Sequence, residues 1–289
     1  MKNNIMTDVH CHILPGIDDG AQYPDISGAL LLSEHQQGIR QILFTPHFYA
    51  HDMKVQDYCR NREAAFKRMK ETCDRLGLVT ALGAEVRMDE ELFDIDFSDL
   101  RMGDSRYLLL EWPFLSGTFP LWGEEIVDIL LRQGIIPVFA HIDRYDYFFG
   151  DEERLYHFLE KGCLFQVNAD SCISRRRSPR VFELMKEGLV HIVGSDAHNT
   201  DKRPCHLKSA MEGIEKKLGS NTAEFLMENA DAVFHDSEID GLKNRSGKII
   251  RNILNRGCGP QNNIYRKQDK ENELRDYFIR RHWHQNAET

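Results

Sequence analysis

Imidazoles and carboxylates recur in this chain where apolar runs end. Asp8-Val9-His10-Cys11-His12 comes first, trailed by Asp18-Asp19-Gly20. Thr45-Pro46-His47 follows, then Gly83-Ala84-Glu85-Val86-Arg87 and Leu110-Glu111-Trp112-Pro113. The last two are Ala140-His141-Ile142-Asp143-Arg144 and Gly194-Ser195-Asp196-Ala197-His198-Asn199. Side chains two apart on a strand share a face, so His10 and His12 present their rings together; Asp196 and His198 do the same if their strand runs that far. Mixed imidazole and carboxylate donors suit zinc, manganese or iron. The carboxylates are too many for one structural zinc, and one such as Glu85 can bridge two cations, so a multinuclear catalytic centre is expected. Taken singly the motifs are weak. One His-x-His arises by chance in a chain with 13 histidines, Thr-Pro-His reads as a loop, Asp-Asp-Gly as a turn, and Asp-x-His as a helix cap. Their joint placement after six strands decides for the metal reading.

The positioning elements follow from periodicity. Strands are expected near Ile5–Val9, Gln41–Thr45, Thr80–Glu85, Tyr107–Glu111, Ile135–His141, Leu164–Asn168 and His191–Ser195. Helices are expected at Ile26–Gln37, Gln56–Leu76, Trp122–Gln133, Glu152–Lys161, Pro179–Lys186, Leu207–Leu218 and Thr222–Glu228. Gly38, Gly77, Gly134, Gly162 and Gly188 follow helices where a left-handed cap is wanted. Such alternation predicts an α/β fold with a parallel sheet. If that sheet closes into a barrel, the C-terminal strand ends meet on one face.

Composition narrows the function. Formal charge is -9 over 289 residues, which disfavours non-specific nucleic-acid or anionic-membrane binding. No apolar run approaches the roughly 20 residues of a membrane span, and the segment from Met1 to Asp8 has no apolar signal region. A cytoplasmic protein without membrane insertion is therefore expected. The seven cysteines form no Cys-x-x-Cys, so free thiols are the default. A thiol phosphatase needs Cys-x5-Arg, and the residues six past the cysteines are Ile17, Ala65, Val79, Ala169, Ser178, Met211 and Ile264. None is arginine, and Cys11 reads as a packed thiol on the far side of its strand. Gly241 to Lys248 is one residue too long for a P-loop and is followed by Ile249 instead of Ser or Thr. Arg175-Arg176-Arg177 is a basic run on the expected active face, either a solvated loop or a recruiting patch for an acidic partner. Phe48, Tyr49, Trp112, Phe114, Phe119, Trp122, Tyr145 and Tyr147 cluster at strand ends; most should be core or rim, with one or two free to flank a phenyl ring. The chain divides into a domain over residues 1–235 and a charged C-terminal extension over 236–289. The extension is expected to hold a helix near Asn244–Arg256, a breaker cluster from Gly257 to Asn263 and a charged stretch at Lys267–His284.

The His-x-His, the later histidine and the terminal Asp-x-His together resemble the polymerase and histidinol phosphatase (PHP) superfamily. Within it, "DVHCHILPGIDDGA", "TPHFY", "GAEVR", "LLLEWPF", "AHIDRY" and "GSDAHN" are similar to the CpsB/CapC capsule-type bacterial tyrosine phosphatases, from about Thr7 to about Asn229. The resemblance implies a distorted (β/α)7 TIM-like barrel and three divalent metal ions, commonly manganese, with iron or zinc as alternatives. One ion would be held by His10, His12, Glu85 and Asp196. A second would share Glu85 and add Glu111 and His141. A third would take Asp19, His47 and His198, with Asp18 as the alternative to Asp19. Arg144 and Arg203 match phosphate-binding arginines. The family usually has Pro-Glu-Arg where this chain has Ile142-Asp143-Arg144, which alters the turn carrying Arg144. The implied activity is hydrolysis of phosphotyrosine on the tail of a bacterial tyrosine kinase that regulates capsular or exopolysaccharide synthesis. Such cations activate water for attack on phosphorus, and Asp143 is a candidate for protonating the leaving phenolate. The runners-up are a small-molecule phosphoesterase of the histidinol-phosphatase kind and an inactive metal-bearing scaffold. Relatives can be homo-oligomers.

Overall fold

The computed structural model describes residues 5–114 and 119–239. Among them, nine strands pair in parallel: β1 (Met6–Cys11), β2 (Ile39–Phe44), β3 (His47–Phe48), β4 (Val79–Leu82), β5 (Glu85–Arg87), β6 (Tyr107–Glu111), β7 (Ile136–Phe139), β8 (Leu164–Asn168) and β9 (Ile192–Gly194). Their order is β1-β2-β4 in one sheet and β3-β5-β6-β7-β8-β9 in the other. The two sheets continue one another. Thr45-Pro46 interrupts one strand path between β2 and β3, and Gly83-Ala84 interrupts the next between β4 and β5. Hydrogen bonds bridge both gaps, from Gly83 N to Phe44 O at 2.8 Å and from Glu85 N to Pro46 O at 3.0 Å. The ring closes where the chain past β9 meets β1, with Asp196 N donating to His10 O (2.8 Å) and His12 N to Ala197 O (2.9 Å). Counted by path, seven strand positions surround the barrel, as expected.

Helices cover the outside: α1 (Pro24–Gln36), α2 (Val55–Arg75), α3 (Trp122–Arg132), α4 (Asp146–Phe149), α5 (Glu152–Lys161), α6 (Ala169–Ile173), α7 (Ser178–Lys186), α8 (Leu207–Leu218) and α9 (Ser220–Phe234). The sequence expectation missed β3, α4 and α6, each of five residues or fewer, too short for a periodic signal. It also stopped the last helix at Glu228. The helix runs on because Ala230 and Val233 close the bottom of the barrel. The expected cap glycines all take positive φ, and Gly162 at 100° directs its N–H back to Phe158 and Leu159 of α5.

The barrel interior below the strand ends is apolar. Val9, Leu43, Leu109, Val138, Leu164 and Ile192 meet there, each fully buried. At about 25 cal/mol per Å2, every such aliphatic side chain contributes roughly 1.5–3 kcal/mol. On β1 the register shifts between Asp8 and Cys11. Val9 faces the barrel core, Asp8 lies beside Glu34 of α1, and His10 turns inward beside Gln166 of β8. Two successive inward residues are the signature of a bulge, which re-aims side chains next to active sites. Cys11 is buried among the core residues on the opposite side, as expected. Arg106 pairs with Asp236, and Ile239 is buried against the barrel base, so packing continues to the end of the described residues. The helix, breaker cluster and charged stretch expected from Asn244 onward lie outside them, as does the Gly241–Lys248 segment rejected as a P-loop.

Candidate metal centre

Each strand path ends by turning one or two polar side chains into the mouth of the barrel. β1 delivers His10 and His12, β3 His47, β5 Glu85, β6 Glu111, and the turn after β7 His141. Asp196 and His198 come from the segment past β9, which ends at Gly194. The strand does not run as far as Asp196 and His198, so the condition for their sharing a strand face is not met. Asp196 instead takes a left-handed backbone with φ 52°, and His141 does so with φ 32°. Such conformations are costly for non-glycine residues and persist where packing enforces them, commonly at functional sites.

Glu85, fully buried, is the hub. Its Oε2 lies 3.2 Å from His10 Nε2, 3.1 Å from His12 Nε2 and 3.1 Å from His47 Nδ1, while Oε1 meets His141 Nε2 at 2.8 Å. Asp196 Oδ1 is 3.5 Å from His10 and 3.4 Å from His12. Asp19 Oδ1 lies 3.5 Å from His47 Nε2 and 3.3 Å from His198 Nε2. Glu111 is 3.7 Å from His141 and 3.8 Å from His47. All nine carboxylates and imidazoles singled out in the sequence thus converge. By proximity seven of them gather as His12, Asp19, His47 and His198; His10, His12 and Glu85; and His47, Glu85 and Glu111, with the donor atoms of each group within 4.8 Å of one another, while His141 and Asp196 stand beside these groups. His12 and His47 each stand in two groups, an overlap that a strict partition by ion does not describe.

The donor set fits divalent cations. Buried His47 Nδ1, Glu85 Oε2 and His198 Nε2 have no hydrogen-bond partner, although orphaned buried polar atoms are costly. The outer nitrogens of three rings are tied back instead. His12 Nδ1 donates to Asp18 (2.7 Å), His198 Nδ1 to the Asp196 carbonyl (2.9 Å), and His10 Nδ1 to Gln166 Oε1 (3.2 Å). In the neutral ring each bond fixes the tautomer whose inner Nε2 carries the lone pair, as metal-ligating histidines require. Asp18 also accepts from His47 N and Gly20 N. It is spent on orienting the loop, whereas Asp19 faces the inner nitrogens.

Charge compensation explains the titration behaviour. Burial opposes ionisation of Glu85 and Asp196, yet the surrounding imidazoles hold both well below the usual carboxylate range. Burial disfavours the charged His12 ring too, but Asp18 raises it well above its ordinary value. His47 is pushed down to about 4 by burial against the pull of Glu85, so it is neutral near pH 7 and ready to ligate. Protons on His10 and His12 thus occupy the place that cations would fill.

Three residues carry weight here without appearing among the sequence candidates. Gln166 accepts from His10 and from His141 N (2.7 Å), and its amide donates to Asn168 Oδ1 (3.0 Å); Asn168 in turn donates to Asp196 Oδ2 (2.6 Å). The only trace of the pair in the sequence is two polar residues two apart in the otherwise apolar run Leu164–Asn168, which does not reveal their role. Arg87, part of a quoted motif but given no role, pairs with Glu111 at 3.2 Å. Arg203 Nη2 and Arg144 Nη1 reach Asp196 Oδ2 at 2.7 and 3.4 Å, each about one-third exposed. Asp143, the acid candidate, is buried and accepts from Ser171 Oγ and Asn168 N. Arg175 to Arg177 are exposed, and Arg177 comes within 3.9 Å of Asp143.

Gly20 keeps the Asp18-Asp19 loop closed. A Cβ there would lie 2.1 Å from the His12 carbonyl oxygen, closer than any real contact. Gly20→Ala is expected to push the loop outward, remove Asp19 from the site and cut retained metal by at least half, read as bound metal per chain after gel filtration. Wild-type retention would show that the loop does not set the site.

The family profile described as "Capsular polysaccharide synthesis, CpsB/CapC" matches residues 6–235. The chain is 32% identical over 241 residues to the tyrosine-protein phosphatase YwqE of Bacillus subtilis strain 168, covering 81% of this chain and 93% of that protein. It is also 32% identical over 251 residues to the tyrosine-protein phosphatase CpsB of Streptococcus pneumoniae, covering 81% and 100%. A solved structure from work on YwqE and CpsB, described as unique metal-dependent tyrosine phosphatases, superposes with a TM-score of 0.72 at 31% identity over 81% of this chain and 96% of that one. A phosphotriesterase homology protein from Escherichia coli shares the fold at TM-score 0.52 and 11% identity.

Proposed function

This chain belongs to the CpsB/CapC capsular polysaccharide synthesis family, and from that premise we propose that it is a metal-dependent protein-tyrosine phosphatase acting in capsular or exopolysaccharide synthesis. The observation that carries the reading is the convergence of nine imidazoles and carboxylates in one barrel mouth around buried Glu85, which itself touches His10, His12, His47 and His141, with the inner nitrogens of His47 and His198 left unpartnered. The ligands are His10, His12, Asp19, His47, Glu85, Glu111, His141, Asp196 and His198. The ions are three, with manganese favoured over iron or zinc. When bound, such cations polarise phosphoryl oxygens and activate water at neutral pH. The substrate is a phosphotyrosine segment of a bacterial tyrosine kinase. Among the described residues no helix is long and apolar enough to cross a membrane, which suits a protein that meets such a kinase from the cytoplasm.

The protein's own groups do the positioning. Arg144 and Arg203 lean on Asp196 and remain partly open, so their free N–H groups can take the equatorial oxygens of a phosphate. Asn168 and Gln166 hold the Asp196 and His10 ends of the cluster against that pull. The leaving phenolate, with a conjugate acid near pKa ~10, departs without strong acid assistance, which agrees with the occupation of Asp143 elsewhere.

The reading is tested by phosphate release from a phosphotyrosine peptide beside histidinol phosphate, with manganese and with chelator. Turnover on the peptide only with metal supports it, whereas turnover confined to histidinol phosphate transfers the chain to the small-molecule phosphoesterases. Arg144→Ala is expected to lower kcat/KM about 10- to 100-fold, as loss of one charge-assisted contact does, with bound metal unchanged. Unaltered kinetics would remove Arg144 from the phosphate site.

A further inference from the structure

We infer that Phe114 is the platform on which the substrate's aromatic ring stacks, making this site selective for aryl over alkyl phosphate monoesters. The inference rests on the phosphatase reading above and adds a specificity residue to it. Phe114 stands three residues past Glu111, where the chain leaves β6. The other large rings around this end of the barrel are packed away, with Trp112, Tyr145 and Phe148 at most 2% exposed, whereas Phe114 is 45% exposed. An isolated exposed ring is ordinary on a protein surface. This one lies against the machinery. Its centroid is 5.9 Å from the His141 ring, with the planes inclined by only 18°. The Arg144 guanidinium carbon is 4.9 Å from it, and that of Arg87 is 5.4 Å.

These contacts define what meets the ring. Arg144 reaches Asp196, and His141 reaches Glu85, so Phe114 touches both the phosphate-binding guanidinium and the ligand cluster. A monoester held by Arg144 beside that cluster therefore carries its ester group alongside Phe114. A phenyl group there gains an offset or edge-to-face ring contact, and an alkyl group does not. The ring is also held in place: Arg87 is anchored by Glu111, and the Tyr145 ring supports Phe114 at 4.8 Å. Tyr49, stacked on His47 at 5.3 Å, is half-buried and offers less open ring.

The test uses two non-hydrolysable probes that differ by the ring, phenylphosphonate and methylphosphonate, titrated calorimetrically into manganese-loaded protein. Binding is read in place of turnover, so leaving-group chemistry does not enter. Wild type should bind phenylphosphonate more tightly. Phe114→Ala should weaken phenylphosphonate about five- to tenfold, the scale of a ring–ring contact, and leave methylphosphonate unchanged. Phe114→Trp should restore the preference. Equal weakening of both probes, or no change in either, overturns the platform and leaves the phosphatase reading standing. Failure of wild type to bind either probe overturns both.

Discussion

Glu85→Gln is expected to lower kcat/KM for a phosphotyrosine peptide by on the order of a thousandfold, about 4 kcal/mol of barrier. Glu85 is fully buried and touches His10, His12, His47 and His141. The amide keeps the shape but removes the charge that those rings share, so the cations lose their common anchor. The same substitution removes the partner that raises the His10 ring above its ordinary pKa. The metal-free variant should therefore fold and show a wild-type far-ultraviolet circular dichroism spectrum while retaining less metal. A variant within tenfold of wild type at equal metal supply would place the reaction elsewhere.

The second large effect is on stability. At a free cation concentration about 100 times its dissociation constant, metal should add about 2.7 kcal/mol, worth a rise in Tm of about 5–10 °C for a domain of this size. The sign of its pH dependence follows from the histidines. His10 and His12 bind protons above the ordinary imidazole range in the metal-free protein, because Glu85, Asp196 and Asp18 outweigh their burial. Cations must displace those protons, so the metal-induced shift should grow between pH 6 and pH 8. Differential scanning fluorimetry with manganese and with chelator measures it. A shift that is absent, or that shrinks as pH rises, contradicts this account of the cluster.

The converging residues were legible because their types are rare inside apolar runs: an Asp, Glu or His ending a strand stands out against residues such as Leu108 to Leu110. What supports them was not. Gln166 and Asn168 are amides, outside any search for metal donors, and their role becomes visible only when β8 is seen to face both His10 and Asp196. Asp18 and Asp19 were interchangeable in sequence, since a one-residue slip in a turn exchanges their directions; the hydrogen bonds from His12 Nδ1, His47 N and Gly20 N separate them. The left-handed backbones at His141 and Asp196 leave no sequence signal in non-glycine residues. Strand–helix alternation indicated a parallel sheet but left it open or closed, and the barrel came with the family resemblance; the breaks at Thr45-Pro46 and Gly83-Ala84 followed from neither, because they depend on how neighbouring strands shear past each other.

Metal content and activity measured on the same samples test the central claim most directly. Purified chain, stripped with chelator, is titrated with manganese, and bound metal per chain after gel filtration is compared with phosphate release from a phosphotyrosine peptide. The account predicts saturable retention of more than one ion per chain, with turnover rising in step with occupancy and vanishing in the stripped protein. Turnover that persists in stripped protein, or a chain that retains no metal at saturating manganese, would contradict it.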